Sequence, residues 1–116
     1  MKTSDIDILR HILRYCNQIN ILVKRFGKDL EIFKSDIAYK DSVSMNLLQI
    51  GEMVGHLSED FRTETNDKIK WLAIKGMRNL FAHNYGAMDT TIIWNTVIEK
   101  IPELSTFCDE IVKYHE

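Results

Sequence analysis

Between Lys75 and Gly86 the chain reads Lys-Gly-Met-Arg-Asn-Leu-Phe-Ala-His-Asn-Tyr-Gly, and two of its side chains, Arg78 and His83, are suited to phosphate chemistry. A guanidinium stays charged at any working pH and grips phosphate through paired N–H groups, whereas an imidazole titrates near neutrality and can give or take a proton. Together they suit cleavage of an RNA phosphodiester. The 2′-hydroxyl supplies the nucleophile, the histidine acts as general acid or base, and the arginine stabilises the pentavalent phosphate, so the reaction needs neither metal nor cofactor.

Spacing supports a shared face. On a helix with Lys75 as origin, Arg78 falls near about −60°, Asn79 near about +40° and His83 near about +80°, an arc of roughly 140° interrupted only by the small Ala82. Tyr85 returns to within about 20° of Arg78 if the helix lasts that long, so arginine, histidine and tyrosine could line one cleft. A structural reading stands beside the chemical one: Arg78 and His83 could be satisfied by helix-terminal carbonyls or by Glu52, and Tyr85 could be a packed aromatic with its hydroxyl at the surface.

One helix supplies one such set. A homodimer packing these helices about a two-fold axis would bring two arginines and two histidines into one groove. Lys68, Lys70 and Lys75 precede Arg78, with Asp67 the only acid among them, so this segment is basic although the chain carries a net charge of −2.

The elements that must position these residues read as helices throughout. Thr3 or Ser4 can cap a first helix through Ile6, Leu9, Leu13 and Cys16 that Gly27 ends. Lys28 to Phe33 reads as a loose helical turn, and Ser35 or Asp36 starts a second long helix through Leu47, Ile50 and Val54. Inside it Gly51 and Gly55 lie on one side beside Glu52, a pattern that calls for another backbone close by, either a neighbouring helix or a second subunit. Ser58 to Asn66 reads as a polar connection. The third helix begins near Asn66 or Asp67, is apolar around most of its circumference and so should be largely buried, and ends near Tyr85 with Gly86 in the left-handed position. Asp89 caps a fourth, which Pro102 kinks or splits.

With no strand alternation and no internal repeat, the expected fold is an all-α, four- to five-helix up-and-down bundle, one domain over residues 1–116. With 116 residues, 45% hydrophobic and 28% charged, the chain is neither disordered nor collagen-like, and a net charge of −2 excludes a broad nucleic-acid-binding field. Cys16 and Cys108 lack metal-ligand spacing and read as small buried hydrophobes. His11, His56 and His115 are scattered singles, so no metal site is expected. The polar start, Met1 to Asp7, and the lack of any long apolar run predict no signal peptide, no membrane association and a cytoplasmic location.

Arg78-Asn79-Leu80-Phe81-Ala82-His83-Asn84-Tyr85 resembles the Arg-x4-His-x-Tyr motif of the HepT-like branch of the HEPN domain superfamily. Gln49-Ile50-Gly51-Glu52 resembles the Ile-Gly-Glu signature of that family's second helix, Trp71 to Met77 its lead-in to the arginine, and Asp89 to Leu104 its closing segment. The resemblance covers nearly the whole chain. It implies the toxin of a type II toxin–antitoxin module, an all-α homodimer with paired motifs and metal-independent endoribonuclease activity, in which Arg78 and His83 are catalytic and Lys75 and Asn79 support them. It also implies a partner, a minimal nucleotidyltransferase antitoxin that silences the toxin by transferring AMP to Tyr85. A non-catalytic helical module that binds such a partner is the alternative.

Overall fold

The computed structural model describes all of residues 1–116 and contains only helices. They are α1 (Thr3–Phe26), α2 (Leu30–Ser35), α3 (Ile37–Val54), α4 (Glu59–Thr65), α5 (Trp71–Asn84), α6 (Thr90–Asn95) and α7 (Ile101–Tyr114). A 3₁₀ turn, Tyr85–Ala87, follows α5, and a π turn, Thr96–Lys100, joins α6 to α7. The all-α expectation holds. The four long rods it counted are present, α2 forms where a loose helical turn is expected, and α4 is additional.

Each departure from the expected boundaries has a local cause. Ser58 accepts from the Phe61 N–H, so the polar stretch that reads as a loop is a capped helix, α4. The α5 helix starts at Trp71 rather than at Asn66, which leaves Lys68 and Lys70 outside it. Trp71 is the anchor: it is buried, its indole N–H donates to Thr65 Oγ1 at 2.8 Å, and its ring packs with Phe61 and Phe107. Gly86 is not left-handed, since Gly27 alone has positive φ, at 116°. At the amino terminus Thr3 lies inside α1, and Asp5 takes the capping role by accepting from the Lys2 N–H at 3.1 Å. Pro102 stands in the first turn of α7, so the expected split falls just before it, where the widened π turn accommodates the missing amide donor.

The helices pack side by side in the spatial order α5, α3, α1, α7. Asp5 at the start of α1 accepts from Ser58, just beyond the end of α3, and the Tyr39 hydroxyl near the start of α3 donates to the carbonyl of Gly27 at the end of α1, at 2.9 Å, so α1 and α3 run antiparallel. A continuous core from Leu9, Ile12 and Cys16 through Val43, Leu47 and Ile50 to Leu104 and Cys108 fills the middle. Both cysteines are buried free thiols.

This order leaves α5 at the rim, packed along its length on α3, with Trp71 at its start reaching Phe61 and Phe107. Trp71 and Phe81 are its only buried residues, while Leu72 is 75% and Leu80 50% exposed. The expectation of a largely buried helix therefore fails: one flank of that apolar circumference faces α3 and the other is open.

Candidate active site

Arg78 is placed by backbone proximity. A Cβ built on Gly51 would overlap the Cβ of Arg78, so α5 can pass this close to α3 only because residue 51 has no side chain. The backbone that Gly51 accommodates thus belongs to the same chain. Gly55 meets only carbonyls of its own helix and ends α3 in ordinary helical geometry.

Beside that crossing, Glu52 pairs with Arg78 Nε, and Arg78 Nη1 donates to Asn79 Oδ1 at 3.1 Å. The remaining guanidinium N–H groups stay available for an incoming oxyanion. Arg78 and Glu52 are each about one-third exposed, so the pair orients the guanidinium more than it stabilises the fold. Gly51, Glu52, Gly55, His56, Lys75, Arg78 and Asn79 line a cleft of about 220 Å³ without one apolar side chain. Lys75 also lines a neighbouring hollow of about 410 Å³ with Glu59 and with Arg62, whose buried Nε has no partner, so Lys75 joins the two hollows and each of them also holds a carboxylate. Another hollow of that size, near Lys24 and Pro102, lies away from α5 and carries no acid–base pair.

The cleft unites Lys75, Arg78 and Asn79 of the helical arc with Glu52 of α3, but it leaves out His83, which that arc includes, and Tyr85. His83 lies in the last turn of α5 with its side chain exposed, on the flank that carries Leu72 and Leu80. Tyr85 sits farther along α3, which runs antiparallel to α5: Arg78 meets Gly51, and Tyr85 meets Asp41. Its hydroxyl donates to Asp41 Oδ1, Lys40 Nζ lies 5.3 Å from its ring centroid, and Phe81 packs beside it with centroids 6.0 Å apart. A cavity of about 280 Å³ opens there between Asp41, Ser44, Met45, Leu48, Phe81 and Tyr85. Burial, the bond to Asp41 and that carboxylate's charge push the Tyr85 hydroxyl above its ordinary pKa, against a smaller downward pull from Ser44.

Sequence reading missed His56 and Asp41. His56 stands four residues after Glu52, a spacing that would share a face if the helix continued, but it lies in the turn beyond the end of α3. Nothing local links Asp41 to Tyr85, 44 residues away. No group of three or more His, Cys, Asp or Glu side chains is arranged to hold a metal ion, and no helix is long and apolar enough to cross a membrane.

Fold and site together define an α-helical protein with a small polar cleft in which Lys75 and Arg78 stand beside Glu52 and His56. The family model for HepT-like ribonucleases matches residues 12–111, and the chain belongs to that family. It is 36% identical over 105 residues to "Putative RNase TTE0752" of Caldanaerobacter subterraneus subsp. tengcongensis, covering 90% of this chain and 91% of that protein. It is 32% identical to "Putative RNase MJ0125" of Methanocaldococcus jannaschii over 90% of this chain and 88% of that one. To "Probable ribonuclease HepT" of Thermococcus cleftensis it is 30% identical over 90% and 92% of the two chains. No solved structure matches it.

Proposed function

We propose that the chain is a metal-independent endoribonuclease, the toxin of a toxin–antitoxin pair, acting in the cytoplasm as a homodimer. The observation that carries this reading is the Arg78 guanidinium, held by Gly51 and Glu52 with free N–H groups facing a wholly polar cleft in a chain of the HepT-like ribonuclease family. RNA lies along Arg62, Lys75 and Arg78, with Asn79 beside the phosphate, and Arg78 stabilises the charge that builds on phosphorus. His83 is the proton carrier. Its place on the open flank of α5 fits a groove in which the His83 of one protomer faces the Arg78 of its partner.

Tyr85 is the regulatory residue in this reading. A minimal nucleotidyltransferase antitoxin transfers AMP to its hydroxyl, and the added anion competes with RNA for Arg78. The test is cleavage of single-stranded RNA by the purified protein in EDTA. Wild type should cut, and His83→Ala and Arg78→Ala should not, with circular dichroism unchanged in both. Activity that vanishes on chelation and returns with a divalent cation rejects the metal-independent mechanism.

The separation of Arg78 from His83 within one chain also favours a second reading, a non-catalytic helical module that binds the nucleotidyltransferase or is modified by it. That reading requires complex formation and no RNA cleavage at any protein concentration.

A further inference from the structure

The Tyr85 hydroxyl lies between two α3 side chains to which the ribonuclease chemistry gives no task. Asp41 accepts its proton in a hydrogen bond and is itself exposed, so the pair can be reached from solvent. Ser44, about one turn along, lines the same cavity at 5% exposure, and its hydroxyl has no hydrogen-bond partner. A buried hydroxyl left unpaired is costly and rare, and this one shares a cavity wall with the Tyr85 side chain.

We propose that Asp41 and Ser44 activate the Tyr85 hydroxyl as a nucleophile toward the α-phosphorus of an AMP donor such as ATP. The proposal rests on the reading above that Tyr85 is the site of adenylylation, and it names the residues of this chain that make the transfer work. A phenol protonated at neutral pH attacks phosphorus poorly, and here burial and the neighbouring carboxylate keep it protonated at rest. As the Oη–Pα bond forms, the Tyr85 proton passes to Asp41. Ser44 turns its O–H toward the phenolate oxygen, and the Pα–O bond to pyrophosphate breaks with its electron pair leaving on pyrophosphate. Lys40 sits beside the ring as a cation for the phosphoryl group in flight. The proton stays within the protein, so no other base is needed.

The test separates the nucleophile from the enzyme that uses it. The full chain is treated with adenosine 5′-phosphorimidazolide, a chemical AMP donor, and AMP is located by peptide mass spectrometry on its four tyrosines. Tyr85 should label about 10²-fold faster than Tyr114, which is 85% exposed. Asp41→Asn should bring Tyr85 down to the Tyr114 rate, Asp41→Glu should restore part of the difference, and Ser44→Ala should slow labelling several-fold. Ser44→Ala deletes no hydrogen bond, so it tests the site even if Asp41→Asn fails to fold. Equal rates at Tyr85 and Tyr114, or full-speed labelling of Asp41→Asn, overturn the proposal. In a parallel arm the cognate nucleotidyltransferase acts with ATP and Mg²⁺. If wild type stays unmodified there while the chemical donor labels Tyr85 in an Asp41-dependent way, the adenylylation reading fails and the activated nucleophile stands.

Discussion

Arg78 crosses α3 directly over Gly51, where a methyl group would come within 3.2 Å of the arginine Cα and Cγ as well as overlapping its Cβ. The position of the guanidinium is therefore set by what residue 51 lacks. Glu52, the next residue, then fixes its direction.

Gly51→Ala should weaken the fold and the site together. Alanine gains about 0.5–1 kcal/mol of helix propensity, but overpacking against a backbone costs about 1–3 kcal/mol. A net loss of about 1–2 kcal/mol lowers the melting temperature by roughly 4–8 °C per kcal/mol. RNA cleavage should fall further than stability does, because α5 shifts. Gly76→Ala is the control: a Cβ there meets nothing, so as a monomer the variant should be slightly more stable.

Arg78 and Glu52 should differ sharply in their kinetic weight. Removing a preorganised donor to a developing oxyanion costs about 10²–10³ in rate, so Arg78→Ala should lose that much, and Arg78→Lys, lacking the fork, should recover little of it. The ion pair is partly solvated and worth about 0.2–1 kcal/mol, so Glu52→Gln should change cleavage by less than about fivefold. Single-turnover rates on one RNA decide this. An Arg78→Ala rate within a few-fold of wild type would remove the arginine from the mechanism.

Asp5 makes stability depend on acid. Its buried carboxylate ties the start of α1 to that of α4: burial raises its pKa, but bonds from Ser58 N and Ser58 Oγ, each 2.7 Å, and from Lys2 N outweigh this and hold it below the ordinary 3.8. The folded value lies below the unfolded one. The stabilisation is therefore complete well above pH 3.8 and is lost as pH falls through the folded pKa. At pH 7 Asp5→Asn should cost about 1.5–3 kcal/mol, as expected for hydrogen bonds to a charged group. In urea titrations the gap from wild type should narrow below pH 4; a gap constant down to pH 2 counts against this origin.

What the sequence revealed and what it concealed divide along range of interaction. Gly27, Asp36 and Asp89 act within a few residues of themselves, and their stop and cap signals predict the helix ends correctly. The Ser58 cap carries the same signal, but its helix is too short to show apolar periodicity. The cluster of Lys75, Arg78 and Asn79 follows from one helix's geometry and is legible for that reason. Burial of α5 is not, because an apolar circumference cannot say whether its second flank meets this chain or another. The Asp41–Tyr85 pair depends on the antiparallel register that the Gly51–Arg78 crossing sets, and no local pattern encodes it.

That open flank gives the dimer its sharpest test. On a helical wheel Leu72, Gly76, Leu80 and His83 span about 80°, and the glycine leaves room for another helix to approach. Burying a leucine is worth about 1.5–3 kcal/mol, and a two-fold interface counts each substitution twice, so Leu80→Glu should weaken association by about 3–6 kcal/mol. Sedimentation should then show a 13.6 kDa species where wild type sediments as twice that. Because Leu80 is half exposed in the single chain, its loss should leave helix content intact. RNA cleavage should collapse with the dimer, since His83 would face solvent instead of a partner's Arg78. A monomeric Leu80→Glu protein that cuts RNA at the wild-type rate would mean that one chain holds a complete site, and the composite groove would have to be abandoned.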